Sequence, residues 1–231
     1  MLEYSYVILP ANAASKVLER DPLLINRTEG YIGVLVDDLT TQGTNEPYRM
    51  FTSRSEFRLT LRPDNADIRL TEKGFKIGLV SNERYEKMVS MRDNLNKAIE
   101  LLKDYKMPSG KWREKLEMKT TKSSVMKSAF GFLAPSTDSP SVEQVCELDP
   151  AVLGWIKDDV ELCKRIKIES LYAFVVKEQA KEVEEVRRDE SLLIPTEIDY
   201  LSKSLNLSFE ERDKLISIQP QTVSFNIELE T

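Results

Sequence analysis

"DVELCKRIKIESLYAFVVKEQAKEVEEVRRD", residues 159–189, is the stretch whose reading decides the fold class. Leu162, Ile166, Ala173, Val176, Ala180 and Val183 recur along it at helical intervals and form one apolar stripe. That predicts a single long helix from Asp159 to about Asp189. Its tail, "KEQAKEVEEVRRDE", is charged on most sides, which suits projection into solvent or pairing with another helix.

The flanking sequence reads as helix too. Upstream, Asp149 before Pro150 starts a short helix to Trp155 or Ile156, and Ser139 before Pro140 starts another through Leu148. Downstream, Pro195 breaks the long helix, and "SFEERDKLISI" from Ser208 forms a last one that ends before Pro220. After Ser81, Met88, Met91, Leu95, Ile99 and Leu102 mark one face of a helix that stops near Tyr105. Residues 28–41 suit a short helix from Thr28, although the contiguous Val34, Leu35 and Val36 also suit a buried strand. Ser53 and Glu56 have capping-box spacing and predict a helix over Arg54–Leu61, with Asp64 capping the next one toward Gly78. The fold expected is therefore mainly α: a multi-helix domain with one long helix and few or no strands. Residues 29–105 form an arginine-rich helical part, 106–138 a lysine-rich loop or linker, and 139–231 a second helical part.

Composition narrows the chemistry. The chain has 231 residues, 41% of them hydrophobic, enough for a real core. A net charge of −6 argues against indiscriminate nucleic-acid binding, which needs a positive field, but allows a local basic patch. There is no histidine, so no Ser/His/Asp or Cys/His nucleophile system can be assembled. Cys146 and Cys163 support neither a disulfide framework nor a metal site of ordinary spacing. No apolar run approaches the roughly 20 residues of a membrane span, and the first residues lack the basic start of a signal peptide, so no targeting signal is visible. Neither GxGxxG nor GxxxxGK[ST] occurs.

In this acidic chain, "PYRMFTSRSEFRLTLRPDNADIRL", residues 47–70, concentrates arginine and contains no lysine. Arg54, Arg58 and Arg62 lie four residues apart, along one side of the predicted helix. Guanidinium forks bind phosphate bidentately and stack on bases, so the stretch suits RNA recognition. Pairing with Glu56, Asp64 and Asp67 in an internal network is the other reading. Tyr48, Phe51 and Phe57 can stack on an unpaired base or fill a core. The adjacent Asp37 and Asp38 point about 100° apart on a helix and read as solvated carboxylates. The lysines from Lys103 to Lys127 read as a flexible basic segment, for loose phosphate contact or simple solvation.

Two longer blocks carry a resemblance. "YIGVLVDDLTTQGTNEPYRMFTSRSEFRLTLRPDNADIRLTEKGFKIGLVSNERY" (31–85) closely resembles the start of the C-terminal region of the GidA/MnmG family, whose mitochondrial members are called Mto1-type. "IKIESLYAFVVKEQAKEVEEVRRDESLLIPTEIDY" (166–200) is similar to that family's long helix and the turn after it. The resemblance implies an FAD- and NADH-using enzyme that works with a GTPase partner, MnmE, to modify C5 of the wobble uridine in tRNA. In that family a flavin domain performs the redox chemistry, and the C-terminal helices recognise tRNA and the partner.

Carried over residue by residue, Arg49, Arg54, Arg58 and Arg62 are the candidates for a tRNA-facing patch. The flavin fingerprint has no counterpart here, so no catalytic, cofactor-binding or metal-binding residue is expected in this chain. Residues 1–28 resemble a remnant of the flavin-domain edge and its linker, and "SFNIELET" stands where the family has terminal helices. The chain is thus expected to be a fragment or truncated product. Its compartment would be the mitochondrion in a eukaryote and the cytoplasm otherwise. A homodimer would form through the missing flavin domain, and no membrane association is implied. The alternatives are a helical module that docks a GTPase through residues 159–189 without binding tRNA, and a truncated product with no function of its own.

Overall fold

The structure, a computed structural model, describes residues 2–41, 47–119, 123–134, 138–195, 198–202 and 205–219. In order these form α1 (Leu2–Val17), α2 (Tyr31–Thr41), α3 (Ala66–Lys76), α4 (Asn82–Asp104), β1 (Lys106–Pro108), α5 (Ser109–Lys115), β2 (Met126–Ser128), α6 (Ala129–Phe132), α7 (Val142–Cys146), α8 (Pro150–Lys157), α9 (Val160–Ser191) and α10 (Phe209–Ile218). The expected mainly helical fold is what forms. Local chemistry sets the helix starts. The Ser81 hydroxyl accepts the Arg84 amide hydrogen at α4, and Ser141 with Gln144 and Ser208 with Glu211 make capping boxes at α7 and α10. Pro150 occupies the first turn of α8, where its missing N–H costs nothing.

The chain divides into two compact units. One comprises residues 1–61 and 177–231, the other residues 62–176. This differs from the expected division at 106–138, and α9 contributes its first half to the second unit and its second half to the first.

In the 62–176 unit, α4, α6, α8 and the first half of α9 enclose Leu102, Leu133, Leu153, Ile156, Leu162 and Ile166, all essentially without solvent exposure. The 106–138 stretch differs from the expected loop. β1 and β2 pair antiparallel with Met107 opposite Lys127, and Met107, Trp112, Ala129, Phe130, Phe132 and Leu133 enter the core. Trp112 is fully buried, stacks on Phe132 at 5.4 Å, meets Tyr105 edge-on at 5.7 Å, and donates its indole N–H to the Lys127 carbonyl at 2.9 Å. Strands of three residues and helices of one or two turns are too short to repeat a pattern, so neither the 3.6 nor the 2 periodicity could show.

Cys146 and Cys163 are free and buried. Burial pushes their thiols up to about 12 and about 11, leaving them protonated and unreactive.

Asp64 does not cap α3. Pro63–Asn65 form a 3-10 turn, and the Asp64 carboxylate turns to Arg62 instead. On α3 itself Asp67 accepts both guanidinium nitrogens of Arg165, at 3.1 and 2.8 Å. Burial opposes its charge, but Arg165 and the Ile68 amide outweigh burial and hold the carboxyl below its ordinary value of 3.8. Since the folded value lies below the unfolded one, the pair stabilises fully above the unfolded value, and the contribution is lost as pH falls through the folded value. Arg165→Met is therefore expected to flatten the acid limb of a Tm-against-pH curve below about pH 4, while a limb unchanged from wild type would exclude this pair as its source.

In the other unit, Phe57, Leu61 and Val183 are buried, with Tyr31 and Val186 packed against them. Gly33 lies where α2 crosses the preceding loop. A Cβ there would sit 2.0 Å from the Asn26 carbonyl oxygen, so only glycine permits the approach.

The helix expected over Arg54–Leu61 does not form. Thr52–Arg54 make a 3-10 turn, and the Thr60 and Leu61 amides both reach the Phe57 carbonyl at 2.9 Å. Gln179 explains the difference. Its amide nitrogen donates to the Glu56 carbonyl at 2.9 Å, and its Oε1 accepts from the Thr60 amide and hydroxyl at 3.2 and 2.8 Å. A helix would have joined Glu56 C=O to Thr60 N–H directly, and the side chain from α9 satisfies both groups instead.

Candidate nucleic-acid interface

The loop before α2 positions Arg27. Asn26 Oδ1 accepts from the Thr28 amide and hydroxyl, at 3.1 and 2.8 Å, which turns the chain and aims Arg27 at α2. There its guanidinium pairs with Asp37, reaches Glu56 at 2.6 Å, and lies 3.6 Å from Asp38. Burial disfavours the charge, yet Glu56 and Asp37 together raise the Arg27 pKa above its ordinary value. Asp38 is buried rather than solvated, at 6% exposure, because it accepts the Tyr48 hydroxyl and faces Arg27. Burial, and then the Asp38 hydrogen bond, push the Tyr48 phenol up to about 12, so it keeps donating at any physiological pH.

Three of the four expected arginines are exposed in this unit, and one of them, Arg54, sits on this cluster. The Arg54 guanidinium lies over the Tyr48 ring at 4.6 Å and 3.9 Å from Asp38, and stays exposed. Arg49 is exposed over the ring of Phe51 at 5.1 Å, and Phe51 itself is 49% exposed. Arg58 is exposed and makes no ion pair among the described residues. A guanidinium stacked on a ring keeps its edge N–H groups free for phosphate oxygens, and the exposed Phe51 face suits an unpaired base. Phe57 is core.

Arg62 belongs to the other unit and is 6% exposed. It binds Asp64 at 3.1 Å and Glu169 at 2.5 Å, lies over the Tyr172 ring at 4.5 Å, and its carbonyl accepts from Arg69 at 3.1 Å. The two readings of the arginine stretch thus divide by residue: Arg62 enters an internal network, and Arg49, Arg54 and Arg58 face solvent. Sequence reasoning did not single out Arg27 or Gln179. Arg27 pairs across a turn that no periodicity reveals, and Gln179 looks like one more polar residue of a charged tail.

Among the described residues no three His, Cys, Asp or Glu side chains converge as metal ligands, and no helix is long and apolar enough to cross a membrane. The strands form one short antiparallel ribbon. Among the described residues there is no parallel strand–turn–helix unit of the kind that cradles a dinucleotide pyrophosphate.

Comparison with known proteins gives a consistent result. Residues 82–180 match the family model described as the tRNA modifying enzyme MnmG/GidA C-terminal helical domain, and residues 182–225 match its C-terminal helical bundle. The mitochondrial 5-taurinomethyluridine-tRNA synthase subunit MTO1 of Macaca fascicularis is 43% identical over 94% of this chain and 32% of its own length. The tRNA uridine 5-carboxymethylaminomethyl modification enzyme MnmG of Clostridium botulinum is 40% identical over 93% of this chain and 34% of its own length. The solved structure of GidA from Aquifex aeolicus, in its form II crystal, superposes with a TM-score of 0.75 at 30% identity, covering 94% of this chain and 33% of that one. The chain therefore spans about a third of the length of the relatives it matches. Matching two consecutive domains of one family and its relatives along nearly all of its length, this chain belongs to the MnmG/GidA family, in the C-terminal helical region.

Proposed function

We propose that this chain contributes the tRNA-facing surface of a wobble-uridine C5 modification enzyme, with Arg49, Arg54 and Arg58 as the contacting side chains. The observation that carries the reading is the arrangement of these arginines, two of them stacked on Tyr48 and Phe51, with solvent-facing edges in a chain of net charge −6. Arg27 pairs with Asp37 and Glu56, so Arg54 is left only a 3.9 Å approach to Asp38 and its charge remains available. In the same proposal the flavin chemistry with FAD and NADH belongs to a separate domain that also forms the homodimer, an MnmE-type GTPase is the partner, and the compartment is the one named for the MTO1 relatives, the mitochondrion.

Arg54→Ala with Arg58→Ala is expected to weaken binding of a tRNA transcript about 10-fold near 0.1 M salt and to lower the slope of log K against log salt by about 1.5–2. An unchanged affinity and slope would remove these residues from the interface.

One observation favours a second reading, docking of a protein partner on α9. Leu171, Phe174 and Val175 share one face of the helix, and Phe174 is 73% exposed. Retention of an MnmE-type GTPase in a pull-down without any tRNA shift would favour it.

A further inference from the structure

Between Lys103 and Lys127 the sequence holds eight basic and three acidic residues, the reverse of the chain's overall balance. We propose that the six described lysines of this stretch, Lys103, Lys106, Lys111, Lys115, Lys119 and Lys127, give the 62–176 unit a second, sequence-independent contact for the RNA phosphate backbone. It rests on the reading of the chain as RNA-facing, but on different residues from the arginine loop.

Three observations carry it. The first is order, since five of these lysines sit on folded elements, Lys103 on the last turn of α4, Lys106 on β1, Lys111 and Lys115 on α5, and Lys127 on β2, while Lys119 follows α5. The buried Trp112 ties these elements together through its bond to the Lys127 carbonyl. The second is exposure without compensation. All six side chains are exposed, and none has a carboxylate partner among the described residues, unlike Lys76, Lys157 and Lys214. The third is the kind of cation. Lysine ammoniums are flexible point charges that attract phosphates without fixing a geometry, whereas the arginine forks of the other unit impose one. Uncompensated ammoniums suit a phosphate chain, whose counterions they release. Val125 and Met126 are exposed at the ribbon, whereas the neighbouring α5 turns Trp112 inward instead of presenting it to a bilayer.

The test uses the whole chain and an unmodified tRNA transcript, titrated across a salt series. Changing Lys106, Lys111, Lys115 and Lys127 together to Gln is expected to reduce the slope of log K against log salt by about 3, given about 0.7–0.9 per phosphate contact. Lys111→Gln with Lys115→Gln alone gives a smaller version, about 1.5, should the fourfold variant fold poorly. The control changes the exposed Lys87, Lys164, Lys177 and Lys181 to Gln, an equal loss of charge elsewhere, and should leave the slope nearly as in wild type. Equal slope losses in both sets would overturn a local site, as would an unchanged slope in the Lys106 set. Binding to phosphatidylserine vesicles that the Lys106 set abolishes, with tRNA binding intact, would overturn it in favour of a lipid surface. If the Lys106 set leaves tRNA binding intact while Arg54→Ala with Arg58→Ala loses it, this inference fails alone. If wild type binds no tRNA, it fails together with the proposal it rests on.

Discussion

Trp112→Ala is expected to lower the unfolding free energy by about 4 kcal/mol, the range for emptying a large aromatic site in a close-packed core. Trp112 has no solvent exposure, stacks on Phe132, touches Tyr105, and anchors β2 through the Lys127 carbonyl. Its loss would remove the side chain around which the ribbon and α6 assemble, and leave a buried carbonyl without its donor. Trp112→Phe keeps most of the volume and loses the indole N–H, so a cost of about 1–2 kcal/mol is expected. Urea titrations followed by circular dichroism measure both. If Trp112→Ala unfolded within about 1 kcal/mol of wild type, the 106–138 stretch would not be part of the core as described.

Arg62→Ala carries the next largest effect, about 3 kcal/mol of stability, because it leaves Asp64 and Glu169 facing each other without the cation that holds both. Both carboxylates are about 30% exposed, which places the figure at the low end of the range for buried pairs. Arg62→Lys should recover little, since one ammonium cannot span Asp64 and Glu169 while lying flat on Tyr172. The salt slope for tRNA should not change in either variant. A stable Arg62→Ala protein with a reduced slope would return this residue to the RNA surface and contradict its placement here.

The long helices were legible because they are long. α4 and α9 run for 23 and 32 residues, enough turns for an apolar stripe to repeat, and serine or proline marked the starts of α4, α8 and α10, whereas α7 is capped by Ser141 and not by the expected Ser139. The 54–61 segment was misread for a physical reason: its capping-box letters are sound local chemistry, but Gln179, more than a hundred residues away in sequence, takes the backbone groups that a helix would use. The same override governs the candidate site. Four-residue spacing placed Arg54, Arg58 and Arg62 together only through that helix, and without it Arg62 joins Glu169 while Arg54 stacks on Tyr48. Asp38 shows the limit from the other side. Its burial depends on Arg27 arriving across a turn set by Asn26, and nothing in the neighbourhood of two adjacent aspartates signals that arrival.

Contact between the 47–58 loop and RNA is tested most directly by photo-cross-linking. A tRNA transcript carrying 4-thiouridine would be bound to the intact chain, irradiated and digested, and the linked peptides identified by mass spectrometry. Cross-links at Tyr48 or Phe51 are the predicted result, lost when Arg49, Arg54 and Arg58 are changed to Ala. A transcript that binds and cross-links only outside residues 47–58 would contradict the account.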